Sequence, residues 1–304
     1  MDWIEVSLET DGELAEAIAD LLHQYGYQGV AIEQTGIDGE SWEETVRLLS
    51  PNVIVRAYLP ADEQATGLIE KLETGLRYLH TISPGVPVQP RYTTVHEEDW
   101  AEAWKVHYRP LRVGENFFIR PEWTEVQPGE GDIEIVLDPG MAFGTGTHPS
   151  TQLCLIALES QPVAGARVLD LGCGSGILGI AAARLGAAEI VAVDTDPLAI
   201  KSTTENANLN GVADRFLIAQ GSLENLLDRP AYFDLILVNI LAKTIIPMCD
   251  SGLGTLVRPG GIGIFSGIID EQAADVEAAL RRTGLKPYKR HTMVDWVAIE
   301  ARRE

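Results

Sequence analysis

The residues best suited to chemistry are 170–176, whose sequence is DLGCGSG. They follow an apolar, strand-like segment at 166–169 and precede a helix-like segment at 177–184. Glycines allow the backbone to adopt positive φ angles and to approach a ligand closely, and the first turn of a following helix has unpaired N–H groups. We therefore expect residues 170–176 to form a nucleotide-binding turn at the end of a buried strand.

The spacing of these glycines narrows the choice of ligand. Dinucleotide-binding turns have the pattern G-x-G-x-x-G, but Gly176 comes one residue too early and Ile177 stands in the third glycine's place. The order of an acidic residue, an apolar residue and then G-x-G-x-G resembles the first motif of class I S-adenosylmethionine-dependent methyltransferases. That cofactor carries a cationic sulfonium and an amino group, so a carboxylate at Asp170 is favourable where phosphate binding would penalise it.

A second carboxylate, Asp194, ends the next apolar segment at 189–194 and lies 20 residues beyond Gly174 (194 − 174 = 20). The carboxyl ends of parallel strands face the ligand crevice, where an acidic side chain can accept both hydroxyls of a ribose. The alternative is a solvated turn, because Asp196 and the proline after it form a common helix start. We assign the helix start to Asp196 and the ribose-binding role to Asp194.

A polar residue, Asn239, ends the apolar segment that begins at Phe233. Its side-chain carbonyl can accept from an amine N–H and so point the nitrogen lone pair at a methyl group. The site resembles the Asn-Pro-Pro-Tyr motif of amino-group methyltransferases, but residues 240–242 are Ile, Leu and Ala. Without the aromatic residue there is no stacking clamp for a planar base, which favours a flexible amine on a protein. A helix-capping asparagine is the alternative.

A glycine-rich loop at 137–151, with sequence LDPGMAFGTGTHPST, leads into a predicted helix at Thr151. Alone, this loop is generic, and a single histidine such as His148 is more often structural than catalytic. Together with residues 170–176, residues 239–241 and the acidic front part of the chain, the loop resembles the ribosomal protein L-eleven methyltransferase family. The resemblance covers nearly the whole chain, and its most specific part is the FGTGTH segment.

This resemblance implies a protein N-methyltransferase that uses S-adenosylmethionine to methylate lysine side chains and the N-terminal amine of a basic, large-subunit ribosomal protein. It also implies that S-adenosylmethionine contacts Thr151, Gly172, Asp194 and Asn239. We add Gly174 of the glycine turn to the cofactor-binding residues and assign the catalytic role to Asn239. No metal ligand is expected, and His148 is a weak candidate for a general base. The alternatives are methylation of an RNA or small-molecule amine, a nicotinamide-dependent oxidoreductase, and a noncatalytic adaptor.

The composition agrees with an acidic enzyme that acts on a basic protein. The formal net charge is −22, which repels phosphate backbones and attracts basic partners, although solubility or salt tolerance would also explain it. We therefore expect no direct binding of nucleic acid. The 3 cysteines and 6 histidines have no disulfide or metal-ligand spacing. The sequence shows no membrane-spanning stretch or signal peptide, which predicts a cytoplasmic protein.

The chain is predicted to contain two domains. Residues 1–95 follow the order β-α-β-β-α-β of a ferredoxin-like α+β domain, and their 5 Lys and Arg residues argue against RNA binding. This domain would recognise the substrate. Residues 96–110 are predicted to form a linker helix, with Trp100 and Trp104 packed on a domain or acting at a hinge. Residues 111–304 alternate strands and helices and match the seven-stranded, doubly wound α/β methyltransferase domain, whose last strand pair is antiparallel.

Several local elements are also predicted from the pattern of apolar residues and of turn formers. The segment from Ala242 to Leu256 is predicted to be one helix, and residues 259–261, Pro-Gly-Gly, to form a turn before a strand at 263–266. Another strand is predicted near 86–95.

Overall fold

The structure is a computed structural model that describes residues 2–23, 30–34, 52–63, 65–95, 109–138, 144 and 146–304. The chain divides into two units, Met1–Tyr108 and Arg109–Glu304. The predicted linker helix with Trp100 and Trp104 falls largely on residues 96–108, outside the described residues.

The first unit contains a four-stranded sheet and two helices. In chain order its elements are β1 (Trp3–Asp11), α1 (Gly12–His23), β2 (Val30–Gln34), β3 (Asn52–Pro60), α2 (Ala65–Ile82) and β4 (Arg91–Val95). The strand order is β2-β3-β1-β4, and all neighbouring strands are antiparallel. This is the ferredoxin-like α+β arrangement that the sequence predicts.

Alternating apolar residues explain the core of this unit. Val6 and Leu8 of β1 point to the same face of the sheet and pack in one cluster with Leu22 of α1 and Leu72 of α2. The predicted strand at 86–95 is shorter in the structure. Val86 is buried in a turn, and its N–H donates to the carbonyl of Ser83. Its apolar character therefore reflects burial and not strand pairing.

The second unit contains a three-stranded sheet, a seven-stranded sheet and helices. Its elements are β5 (Leu111–Val113), β6 (Phe117–Pro121), β7 (Ile133–Leu137), α3 (Pro149–Glu159), β8 (Arg167–Leu171), α4 (Ile177–Arg184), β9 (Glu189–Asp194), α5 (Pro197–Leu209), β10 (Phe216–Gln220), β11 (Phe233–Asn239), α6 (Ala242–Asp250), β12 (Val257–Ile269), α7 (Asp270–Arg282), β13 (Leu285–Met293) and β14 (Trp296–Arg303).

The seven-stranded sheet confirms the predicted α/β fold. Its order is β10-β9-β8-β11-β12-β14-β13, in which the first five strands are parallel and β14 is antiparallel to both of its neighbours. The strand order reverses between β8 and β11. In open α/β sheets, ligands bind at the carboxyl ends of the strands at such a reversal, which here is where β8, β9 and β11 end.

The sheet of β5, β6 and β7 is not among the predicted elements. Its strands are only 3 to 5 residues long, and β7 has one charged residue, Glu134, among four apolar ones. Phe117 and Ile135 nevertheless pack in one buried cluster with Leu155 of α3 and Ile177 of α4. This small sheet therefore supports the helices that begin beside the carboxyl ends of β8 and β11.

Two local predictions are wrong. The helix predicted from Ala242 to Leu256 ends at Asp250, because Gly252 adopts a φ of 102° that no helix can continue, and a 3₁₀ turn follows. The turn predicted at 259–261 lies inside β12. It forms a bulge, since Phe233 pairs with Val257 whereas Leu235, two residues on, pairs with Ile262.

A buried carboxylate ties the last two strands to the end of α3. Glu300 of β14 is 1% exposed and accepts hydrogen bonds from Gln161 (2.8 Å), Tyr288 (2.6 Å) and His291 (2.5 Å), with the Lys289 ammonium 3.5 Å away. Burial alone would raise the pKa of Glu300, but the hydrogen bonds from His291 and Tyr288 outweigh it and hold this pKa below its usual value. The ionised carboxylate is therefore part of the folded structure.

Replacing this carboxylate should destabilise the second unit. Glu300→Gln substitutes an NH₂ group for one acceptor oxygen and sets it against hydrogen-bond donors, so we expect the free energy of unfolding in urea to fall by about 2–3 kcal/mol. Glu304→Gln is the control, because Glu304 pairs with Lys286 on the surface and should change stability by less than about 0.5 kcal/mol. Equal unfolding curves for the two variants would contradict the role given to Glu300.

Candidate active site

The glycine turn at 172–176 joins β8 to α4 and lies against the ends of two other strands. The N–H groups of Gly172 and Cys173 both donate to the carbonyl of Val193 in β9, at 2.8 and 3.1 Å. Gly172 has a φ of 76°, and a Cβ on it would lie 2.4 Å from Cγ2 of Ile240, directly after β11. Only glycine fits this close approach, which brings the turn to the carboxyl ends of both β9 and β11.

Asp194 anchors the same turn. One carboxylate oxygen accepts the N–H of Gly174 at 3.0 Å, and the other accepts the N–H of Asp196 at 3.0 Å. Each oxygen has a second lone pair, so Asp194 can still accept a hydroxyl donor. Asp196 caps α5 by accepting the N–H of Leu198 at 2.8 Å, the helix-start role predicted for it.

The amide of Asn239 ends β11 and is fixed on one side only. Its Nδ2 donates to Oγ1 of Thr151 at 3.1 Å, and Thr151 is 1% exposed in the first turn of α3. Its Oδ1 is buried and has no hydrogen-bond partner among the described residues. The side chain does not cap the next helix, since Leu241 is the N-cap residue of α6. A buried acceptor without a partner is costly, which indicates a ligand N–H or O–H at this position.

A second glycine clamps the segment that carries Asn239. Gly267 in β12 has a φ of 78°, and a Cβ on it would lie 2.4 Å from the carbonyl oxygen of Ile240. Ile240 therefore lies between Gly172 on one side and Gly267 on the other. Gly267 cannot be identified from the sequence alone, because one glycine inside an apolar strand carries no specific signal. Its effect is to fix the position of Asn239 relative to the glycine turn.

Asp170 makes the base of the turn acidic. The side chain is 1% exposed, and one of its oxygens accepts the N–H of Gly179 in α4 at 2.8 Å. The pKa of Asp170 is raised to about 7, mainly by burial and to a smaller extent by the neighbouring charge of Asp194, while the hydrogen bond from Gly179 opposes both effects. Two carboxylates thus lie close together at the ends of β8 and β9, an arrangement that disfavours an anionic ligand and suits a cation.

His148 has a structural role. It is the N-cap residue of α3, and its Nδ1 accepts the N–H of Ser150 at 3.2 Å. Its ring packs edge-on against Trp296, with 4.5 Å between the ring centroids. Burial lowers the pKa of His148 to about 4, so the ring is a poor acceptor for the proton of an amine. These contacts argue against His148 as a general base and show how α3 holds Thr151.

Part of the predicted glycine-rich loop, residues 139–143 and 145, lies outside the described residues. Within the described part of the chain, no group of three or more His, Cys, Asp and Glu residues could hold a metal ion. No helix among these residues is long and apolar enough to cross a membrane.

The strand order, the glycine turn after β8 and the acidic residue that ends β9 define a class I methyltransferase fold. The chain matches the family described as ribosomal protein L11 methyltransferase (PrmA) over residues 2–304, and it belongs to that family.

Individual relatives agree with this assignment. A ribosomal protein L11 methyltransferase from Chloroflexus aurantiacus is 43% identical over 99% of this chain and 98% of its own length. A ribosomal protein L11 methyltransferase from Herpetosiphon aurantiacus is 44% identical over 100% of this chain and 99% of its own length. The crystal structure of a ribosomal protein L11 methylase from Lactobacillus delbrueckii subsp. bulgaricus is similar with a TM-score of 0.60 and 34% identity, over 65% of this chain and 100% of that one.

The buried Asp170 predicts an unusual pH dependence of stability. Its folded-state pKa of about 7 lies above the ordinary value of 3.8, so near pH 6 the folded protein holds a proton that the unfolded chain has released. This contribution to the free energy of unfolding therefore decreases as the pH rises from about 4 to about 7. Asp170→Asn keeps an acceptor for the N–H of Gly179 and removes the titration.

We expect wild type to lose about 2 kcal/mol more stability than Asp170→Asn between about pH 5 and pH 8, measured by urea unfolding. Asp228→Asn, at an exposed position, controls for the loss of one negative charge. Parallel pH profiles for wild type and Asp170→Asn would show that the buried carboxyl does not titrate in this range.

Proposed function

We propose that the protein transfers methyl groups from S-adenosylmethionine to lysine side chains and the N-terminal amine of ribosomal protein L11. The observation that carries this proposal is the buried Oδ1 of Asn239, an acceptor without a partner among the described residues at the carboxyl end of β11. An amine is a donor that can fill this position and still direct its lone pair away from Asn239. The relatives are ribosomal protein L11 methyltransferases, which supports L11 as the protein that supplies the amine.

The residues at the strand ends fit the cofactor. Asp194 has free lone pairs for the two ribose hydroxyls, and the backbone of Gly172 and Gly174 allows close approach. Thr151 lies beside Asn239, and the buried Asp170 adds a negative field suited to a cationic ligand. When bound, S-adenosylmethionine supplies an electrophilic methyl group on its sulfonium. Alignment of that carbon with the amine nitrogen would provide most of the rate.

The amine must be neutral when it reacts, since protonation occupies its lone pair. A lysine with a pKa near 10.4 is neutral about once in 2,500 molecules at pH 7, and an α-amine near 7.8 about once in seven. The Asn239 oxygen can hold an N–H of the neutral amine without adding a charge that would favour the ammonium. Because His148 is occupied as a helix cap, the proton would leave to water before the amine docks.

Charge supports a basic protein as the partner. The net charge of −22 favours association with a basic ribosomal protein and opposes direct binding to nucleic acid. The ferredoxin-like unit is the part of the chain left to recognise that protein, because the cofactor residues all belong to the second unit. We accordingly place substrate recognition in residues 1–95 and methyl transfer in residues 111–304, in a protein that acts in the cytoplasm.

The ribose-binding role of Asp194 can be tested by calorimetry. Asp194→Ala leaves two ribose hydroxyls poorly paired, so we expect S-adenosylmethionine to bind roughly ten- to a hundredfold more weakly, or about 1.5–3 kcal/mol. Asp196→Ala is the matched control, because it removes a carboxylate two residues away that caps α5. It should lower thermal stability and leave cofactor affinity unchanged. Unchanged affinity in folded Asp194→Ala would remove this residue from the site.

The role of Asn239 can be tested by single-turnover rates at saturating cofactor. Asn239→Ala removes the acceptor that aligns the amine, and such misalignment commonly costs around a hundredfold in rate. Asn239→Asp keeps an acceptor but adds a charge that holds the amine protonated, so it should also be slow and recover partly at higher pH. The exposed Asn208→Ala should react like wild type. Wild-type rates in both Asn239 variants would refute the proposed alignment.

A further inference from the structure

Asn206 lies on α5, outside the residues assigned to the cofactor, and its side chain is fully buried. Its Nδ2 donates to the carbonyl of Ser175 in the glycine turn at 2.9 Å. Its Oδ1 accepts the N–H of Asp138, the residue after β7, at 2.9 Å. One buried amide therefore bridges two segments that are far apart in sequence. Both hydrogen bonds of this buried amide would be broken if the two segments moved apart, so Asn206 restrains Ser175 relative to Asp138.

Ser175 makes a second link from the glycine turn. Its hydroxyl donates to the carbonyl of Gly144 at 2.6 Å, and its side chain is 3% exposed. Gly144 precedes α3, the helix that carries Thr151. Ser175 is thus bound at two groups. Its carbonyl accepts from Asn206, and its hydroxyl donates to the segment that leads to Thr151.

Asn210 provides an internal comparison. It lies one helical turn after Asn206, and its amide pairs with both backbone groups of Val136 in β7, accepting at 2.9 Å and donating at 2.6 Å. Asn210 is the C-cap residue of α5, and its other hydrogen bonds among the described residues go to the carbonyls of Asn206 and Asn208 in that helix. Both asparagines therefore attach α5 to the β7 segment, but only Asn206 reaches the glycine turn.

We propose that Asn206 is a positioning residue for the cofactor site, because it joins Ser175 to Asp138 and so holds the glycine turn in its binding conformation. This inference rests on the proposed function, since it takes the turn to be where S-adenosylmethionine binds. Asn210 stabilises the same strand without restraining the turn. Loss of Asn206 should therefore weaken cofactor binding beyond what loss of stability explains.

The test uses the full chain and S-adenosylhomocysteine as the calorimetric probe, with Asn206→Ala, Ser175→Ala and Asn210→Ala. We expect affinity to fall about tenfold or more in Asn206→Ala and roughly threefold in Ser175→Ala. Asn210→Ala should bind like wild type, although its thermal unfolding temperature falls about as far as that of Asn206→Ala. Turnover of Asn206→Ala at saturating S-adenosylmethionine should stay near wild type, so the defect appears in KM and not in kcat.

The possible failures are distinguishable. Wild-type affinity in a folded Asn206→Ala, or an equal loss in Asn210→Ala, would show that Asn206 only stabilises the fold. If Asn206→Ala does not fold, Asn206→Asp decides, because it keeps an acceptor for the N–H of Asp138 and loses the donor to the carbonyl of Ser175. Unchanged affinity in that variant overturns the inference. If wild type itself binds no S-adenosylhomocysteine, the proposed function fails together with the inference.

Discussion

The hydrogen bond from Asn239 to Thr151 is the contact on which the rest of the site depends. This bond uses Nδ2 of the Asn239 amide, and the buried Oδ1 of the same amide has no partner among the described residues. An acceptor in that state costs about 1–3 kcal/mol, so the surrounding structure must hold it in place. Two close-packed glycines clamp Ile240 directly after Asn239, and His148, packed on Trp296, caps the helix that carries Thr151. These contacts serve to keep one oxygen atom available to a ligand.

The acidic strand ends impose a second cost that a ligand would offset. Asp170 is fully buried beside the charge of Asp194, and its raised pKa means that the ionised form is unfavourable in the free protein. A cation at the turn would stabilise the carboxylate and lower that pKa. Perturbed ionisation of this kind is common at functional sites, because stability is given up there in return for binding. Asp170 and Asn239 thus both give up stability in return for ligand binding. For Asp170 the cost is a buried charge, and for Asn239 it is a buried acceptor without a hydrogen bond.

Much of the methyltransferase fold can be predicted from the sequence, because long apolar segments that end in polar residues are readily recognised as buried strands. The glycine turn, the helix start at Asp196 and the antiparallel last strand pair all lie where the pattern predicts. The strands β5, β6 and β7 are not predicted, because 3 to 5 residues show little periodicity. The helix predicted from Ala242 is longer than the observed one, because the pattern of apolar residues continues through the 3₁₀ turn after Gly252.

Within the site, residues with a local sequence signal could be predicted, and residues that act through distant contacts could not. Asp194 and Asn239 could be predicted because each ends a strand, and parallel strands end at one edge of a sheet. The roles of Asn206 and Gly267 could not, since each depends on a contact with a distant segment: Asn206 with Asp138, and Gly267 with Ile240. A single sequence contains no signal for such pairs. They become visible only when the fold brings the segments together.

Methyl transfer to a protein amine can be tested directly in one labelling experiment. The full-length protein is incubated with labelled S-adenosylmethionine and either the total proteins of the large ribosomal subunit or total ribosomal RNA, and labelled products are identified by mass spectrometry. We expect label on ribosomal protein L11, at lysine side chains and the N-terminal amine, and none on RNA. Label on RNA alone, or no transfer to any protein, would contradict this expectation.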